Sequence, residues 1–346
     1  MRLAIVGAGP AGIYAADLML KAERDFEVSI DLFDLLPAPY GLVRYGVAPD
    51  HPRIKGIIRA LYEVLDRGDI RFFGNVQYGT DITLEELKQH YHAVIFATGA
   101  IKDADLNIPG IDLEGSFGAA DFVNWYDAHP DFPRTWDLSA KEIAVIGNGN
   151  VALDVARILA KQPSDLLSTD IPDNVYQGLL QSNATDIHVF GRRGPAQVKF
   201  SPLELREACH VNDVDAIVYD EDFQYDEGSQ EAIDSNNQIR VMVNTLEGLR
   251  GVEPKGASRR LHLHFFSAPK EIVGSDGKVT GIKIERTKLD GKGGVVPTGE
   301  IREFPVQAVY RAVGYFGSEL VDVPFDPKYG VISNTAGRVI DSSGEH

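Results

Sequence analysis

The sequence predicts an α/β protein built from two Rossmann-like dinucleotide-binding domains. Three observations carry that prediction. Arg2 to Val6 is a short apolar run of strand type, followed at once by Gly7-Ala8-Gly9-Pro10-Ala11-Gly12 and then by the helix-forming stretch Ile13 to Leu20. Lys141 to Ile146 begins the same sequence of events, with Gly147-Asn148-Gly149-Asn150-Val151-Ala152 opening a helical stretch to Leu159. In each unit the next strand ends on charge, Asp34 in the first and Arg192-Arg193 in the second. Strand, glycine turn, helix and a charged strand end together make the dinucleotide fingerprint specific.

Within the first turn, Gly7 permits the tight bend, Gly9 lets the backbone approach a pyrophosphate, and Gly12 lets the helix pack on its strand. Phosphates are favoured at the helix start, where unpaired N–H groups and the dipole meet negative charge. The second strand, Val28 to Phe33, ends on Asp34, close to the ~20-residue interval after Gly12 expected of a carboxylate that accepts ribose hydroxyls.

Leu35 to Pro52 follows, with four prolines and two glycines. A long loop of this kind is usually functional or disordered, and its Leu, Val and Tyr content favours function. A helix is expected from about Ile54 to Asp66, a strand from Ile70 to Val76, and a helix capped by Thr83. The apolar run His92 to Ala100 reads as a strand buried on both faces of a parallel sheet.

Lys102 to Gly118, rich in Gly, Pro and Asp, reads as a crossover into a second domain. There Ala152 takes the third glycine position, and the strand Asp186 to Phe190 runs into Gly191-Arg192-Arg193-Gly194. A planar guanidinium suits a phosphate and a carboxylate repels one, so this unit should take NADP, with arginine on the 2′-phosphate. Gln162 to Thr185 reads as a polar insertion with a short helix near Val175 to Leu180. Glu207 to Ile239, acidic and without Lys or Arg, reads as a solvated excursion. Leu261 to Phe266 and Gly281 to Glu285 suggest a small antiparallel layer, and Val306 to Val313 a strand returning to the first domain. The expected domains are 1–103 with 318–346 and, inserted between them, 104–317.

The whole chain sets bounds on this reading. Its 346 residues, 44% hydrophobic and 25% charged, suit two ordinary globular domains. A net charge of −17 argues against nucleic acid or an anionic membrane as partner. No apolar run approaches the ~18 residues of a membrane span, and the N-terminus passes from one Arg straight into a core strand, unlike a signal peptide. A single cysteine, Cys209, leaves no C-x-x-C pair and no cysteine set for an iron–sulfur cluster. A cytoplasmic location is expected.

Ala48-Pro49-Asp50-His51-Pro52 and Gly147 to Arg157 resemble NADPH-dependent ferredoxin reductases of the adrenodoxin-reductase type. So do Leu36-Pro37 through Arg44, Arg71 to Val76, Asn107 to Gly110, Gly191 to Pro195 and Leu203 to Glu207. The resemblance implies a glutathione-reductase-like arrangement, with FAD in the first domain and NADP in the second. With the glycine turn, it gives a flavin set of Gly7, Gly9, Pro10, Ala11, Gly12, Asp34, Leu42 and, through its backbone, Tyr78. It likewise gives an NADP set of Gly147, Gly149, Asn150, Val151, Ala152, Leu153, Arg192, Arg193 and Glu204, with Lys102 in place of an Arg missing at Ala104. His51 and Glu207 align with a histidine and an acid near the nicotinamide, for orienting or proton-handling roles. The implied reaction passes a hydride from NADPH to FAD and single electrons on to a ferredoxin-type iron–sulfur protein.

Two rival readings follow from the resemblance. A flavin subunit like the small subunit of glutamate synthase would need cysteine clusters that one cysteine cannot supply. In the family's pattern, a flavin-holding segment and a closing helix follow the equivalent of Gly337 to Ile340, whereas this chain ends at Ser342-Ser343-Gly344-Glu345-His346. The first domain is therefore expected to be incomplete and to hold FAD weakly, with a truncated NADP-binding remnant as the alternative function.

Overall fold

The computed structural model describes residues 1–346 except 293, 342 and 344–346, so most of the terminal Ser342 to His346 lies outside the described residues. The chain divides into two compact units, residues 1–102 with 315–346, and residues 103–314.

In the first unit, β1 (Arg2–Val6), β2 (Ser29–Phe33), β3 (Ile70–Phe73) and β4 (Ala93–Phe96) form a parallel sheet in the order β3-β2-β1-β4. Alternate strand residues point to opposite faces. Leu3, Ile5, Ile30 and Leu32 meet Ile13 and Ala16 of α1 (Pro10–Lys21) and Leu61 and Val64 on one face. Ala4, Val6 and Phe33 meet Leu87 on the other.

The expected helix from Ile54 to Asp66 is two helices, Pro52–Lys55 and Ile57–Asp66, parted at Gly56. The strand expected from Ile70 to Val76 stops at Phe73, and Thr83 caps Leu84–His90 in a reciprocal capping box with Glu86. The run His92 to Ala100 is not buried on both faces. Only Ala93–Phe96 is strand, its residues half-buried or exposed, because β4 is an edge with β1 its one partner among the described residues.

The second unit has a six-stranded parallel sheet. Its order is Ser116–Gly118, Ala308–Arg311, Glu142–Ile146, Asp186–Phe190, Arg259–His264, Val214–Val218. The helix Asn150–Ala160 is buried from Ala152 to Ala160 except Asp154 and packs on helices Ala119–Tyr126 and Pro202–Cys209. The polar insertion carries a helix at Asp173–Leu179.

Three expectations change here. The acidic stretch Glu207 to Ile239 is no bare excursion: it supplies the edge strand Val214–Val218 and the helix Glu227–Ser235, where acidic residues line an exposed side. Residues 261–264 of that stretch belong to the parallel sheet as part of Arg259–His264, and the antiparallel layer is Ser267–Ser275, Lys278–Leu289 and Val295–Phe304. Ala308–Arg311 pairs with both Glu142–Ile146 and Ser116–Gly118, so it completes the second sheet and the return to the first unit begins at Tyr315. Among the described residues no helix is long and apolar enough to cross a membrane.

Candidate functional site

Each unit presents a glycine turn at the carboxyl end of a strand of its parallel sheet, Arg2–Val6 in the first and Glu142–Ile146 in the second, and the turn positions have different jobs. In the first unit, Gly7 has φ of +107°, and a Cβ there would lie 2.3 Å from the Ala97 carbonyl oxygen. A Cβ on Gly12 would lie 2.0 Å from the Gly7 oxygen. The protein's own packing therefore demands both glycines. Gly9 is different: its Cβ would meet nothing nearer than Gly41 Cα at 3.9 Å. Its bareness leaves room for an incoming group. Gly9 also starts α1 with no side-chain cap, Pro10 as the first helical residue and no acid in the first turn. The first-turn N–H groups are thus left to an anion, as a pyrophosphate requires. Ala11 beside them is exposed.

Asp34 reaches back to this turn. Its Oδ2 accepts from Ala8 N–H at 2.6 Å and its Oδ1 from Leu36 N–H at 2.8 Å. The proline-rich loop grips the same residue from the other side, Tyr40 N–H donating to the Ala8 carbonyl at 2.8 Å. Tyr40 is buried with φ of +91°, a strained backbone for a residue with a Cβ. The Arg44 guanidinium sits 5.1 Å from its ring centre. Gly41 then passes so close that a Cβ on it would lie 3.0 Å from Gly9 Cα. Sequence reasoning missed Tyr40 and Gly41; Pro39-Tyr40-Gly41 signalled a turn but not its docking.

Leu42 opens the short helix Leu42–Tyr45 and is exposed. His51 is buried and closes the loop, its carbonyl accepting from Ile54 and Lys55 N–H. Tyr78 is half-buried, and its hydroxyl donates to the Val321 carbonyl at 2.8 Å.

The second turn repeats the division of labour. A Cβ on Gly147 would lie 2.3 Å from the Ala312 oxygen and 3.1 Å from the Ala152 Cβ, whereas one on Gly149 would meet nothing within 4 Å. Gly149 precedes the helix with no side-chain cap. Asn150 is held by its Oδ1 accepting from Ser201 N–H at 2.8 Å. Val151 is half-buried, and the side chains of Ala152 and Leu153 are fully buried. Those two therefore shape the turn by packing, their N–H groups donating to the Gly149 carbonyl.

Arg192 and Arg193 stand on a turn fixed by its main chain. Gly191 N–H donates to the His264 carbonyl at 2.8 Å, Ser267 N–H to Gly191 at 2.9 Å, and the Thr287 hydroxyl to the Arg192 carbonyl at 2.8 Å. Both side chains are exposed, and no ion pair of either is found among the described residues. A Cβ on Gly191 would lie 2.8 Å from Asn148 Cγ, so this turn lies against the glycine turn.

Glu204 is buried, 3.3 Å from Nη1 of Arg157, whose Nη2 is 2.9 Å from Asp154. That pairing ties the helix Pro202–Cys209 to Asn150–Ala160. Glu207 lies one turn further along the same helix and is half-buried. Lys102 is exposed, and Ala104 is fixed through its N–H to the Gly314 carbonyl at 2.8 Å.

The family model for pyridine nucleotide-disulphide oxidoreductases matches residues 1–176. NADPH-ferredoxin reductase FprA of Mycobacterium tuberculosis is 42% identical over 99% of this chain and 77% of its own length. Mitochondrial NADPH:adrenodoxin oxidoreductase of Arabidopsis thaliana is 38% identical over 100% of this chain and 74% of its own. The structure of M. tuberculosis FprA in complex with NADPH superposes with a TM-score of 0.93, at 41% identity, over 100% of this chain and 77% of that one. Similarity therefore takes in both nucleotide units, which argues against a remnant that kept NADP binding alone.

Proposed function

The chain belongs to the family of NADPH-ferredoxin reductases and NADPH:adrenodoxin oxidoreductases, within the pyridine nucleotide-disulphide oxidoreductases, and from that premise we propose that it is an FAD-dependent reductase carrying electrons from NADPH to a ferredoxin-type iron–sulfur protein. The observation that carries this reading is the pair of glycine turns that differ in the charge at the end of the following strand. Asp34 suits the ribose hydroxyls of FAD. Arg192 and Arg193, exposed and without ion pairs among the described residues, suit the 2′-phosphate of NADPH.

When bound, FAD supplies the conversion between a two-electron hydride donor and a one-electron acceptor. The chain's own residues bind and orient. Gly7 and Gly12 hold the first turn in the shape that bares Gly9, and the uncapped helix start at Pro10 and Ala11 leaves the remaining first-turn N–H groups to an anion. Asp34 and Tyr40 fix Ala8 by its N–H and its carbonyl, so the turn needs little reordering when a pyrophosphate arrives. Leu42 presents apolar surface beside it, and Tyr78 contributes through its backbone. In the second unit Gly147, Gly149, Asn150, Val151, Ala152 and Leu153 form the pyrophosphate turn. Glu204 steadies that helix through Arg157. His51 and Glu207 take orienting or proton-handling roles toward the nicotinamide. A cytoplasmic location accords with the single cysteine and with a bacterial relative.

The test is Asp34→Ala. It should raise the flavin dissociation constant and leave NADP binding unchanged. If NADP binding fell and flavin stayed, the two nucleotide sites would have been assigned the wrong way round.

A further inference from the structure

The second unit buries three histidines on one face of its parallel sheet. His188 lies on the strand Asp186–Phe190. His262 and His264 lie two residues apart on the adjacent strand, with His262 opposite His188 in register. Residues two apart on a strand share a face, and each ring offers a nitrogen within 4.8 Å of the others. Beside them the sheet is apolar, with Ala144, Ile146 and Phe190 packed against Ile282, Ile284 and Phe304 of the antiparallel layer. Imidazoles in such a place are costly unless fully hydrogen-bonded. Here they are not: Nε2 of His188 has no hydrogen-bond partner among the described residues.

Two of the rings turn a nitrogen toward a carboxylate. Asp186 accepts hydrogen bonds from Arg260, His262 and Thr185. His262 Nε2, 3.0 Å from Asp186 Oδ1, therefore carries the hydrogen. That leaves a lone pair on Nδ1, which accepts from the Tyr219 hydroxyl at 2.9 Å. His188 turns Nε2 toward Glu142 at 3.8 Å and Nδ1 toward His264 Nε2 at 3.0 Å. Metal-binding histidines commonly give their far N–H to a carboxylate, as His262 does to Asp186.

We propose that His188 Nδ1, His262 Nδ1 and His264 Nε2 bind a divalent transition-metal ion of the zinc class. Three imidazoles suit zinc, nickel, copper or iron and not the hard ions magnesium and calcium. The Tyr219 hydroxyl is placed to be a fourth ligand. The His188 and His262 rings are 13° from parallel, so loading reorients the His262 ring and trades its hydrogen bond with Tyr219 for the ion. Because the His264 carbonyl holds Gly191 N–H, the ion would brace the turn that carries Arg192 and Arg193. Its role is structural and separate from electron transfer.

The experiment uses the full chain with FAD bound, stripped with a chelator and then given Zn²⁺ or Co²⁺. One zinc per chain should survive gel filtration, the melting midpoint should rise by several degrees, and Co²⁺ should give the visible bands of a tetrahedral site. His188→Gln and His264→Gln should each lose all three effects while still binding NADP. Substoichiometric zinc in the wild type overturns the proposal, as does a folded variant that retains zinc. Should neither variant fold, X-ray absorption on the zinc-loaded wild type decides: imidazole ligands support the site, and an oxygen-only shell overturns it.

Discussion

Replacing Arg192 and Arg193 together by Ala tests the proposed basis of coenzyme choice. Each charge-assisted contact to a phosphate contributes ~1.5–3 kcal/mol. Both guanidinium groups are solvent-exposed, which puts them at the low end of that range. Together they amount to ~3 kcal/mol, on the order of a hundredfold in affinity at ~1.4 kcal/mol per factor of ten. The fold should not suffer, because the turn is held by the main chain of Gly191 and Arg192 and not by the arginine side chains. Dissociation constants and kcat/KM for NADPH and NADH, with thermal midpoints as a control, provide the assay. NADPH should weaken about a hundredfold by the same reckoning, with NADH and the midpoint nearly unchanged. Equal losses for both coenzymes would refute the reasoning, since only the 2′-phosphate distinguishes them.

Two further outcomes follow from the geometry. Gly9→Ala should fold with an unchanged melting midpoint yet bind FAD poorly, whereas Gly12→Ala, whose Cβ would lie 2.0 Å from the Gly7 oxygen, should lose about 1–3 kcal/mol of stability from overpacking; denaturant unfolding and flavin retention separate the two. Burial raises Asp103 from 3.8 to about 6, so the folded state holds its proton more tightly than the unfolded one. Stability should therefore fall as pH rises across that window, and Asp103→Asn, which keeps an acceptor for Ala120 N–H, should lessen the fall in a series of melting midpoints. A wild type whose midpoint climbed over the same window, or a variant with an identical profile, would contradict that sign.

The glycine turns were legible because their constraints are local: a tight bend, a bare backbone and a close helix are each written in one short stretch. The charges that follow, Asp34 and Arg192-Arg193, were legible because a strand end fixes where they stand. The positive φ of Tyr40 was not, since nothing in Pro39-Tyr40-Gly41 reveals that its N–H is drawn to Ala8. Glu207 to Ile239 misled because its acids outnumber the apolar residues of Val214–Val218, which matter only once that strand lies on the sheet edge. Leu261 to Phe266 could not be assigned to a sheet by pattern, because the choice rests on pairing with Asp186–Phe190 far away in the chain. The histidine cluster has the same origin: His188 and His262 meet only through that register.

Anaerobic reduction of the FAD-loaded chain by NADPH, followed by transfer to a ferredoxin-type protein, tests the central claim most directly. Flavin absorbance should bleach with stoichiometric NADPH and far more slowly with NADH, and should recover when the oxidised iron–sulfur protein is added. A chain that holds no flavin, or one reduced equally by NADH and NADPH, would contradict the account.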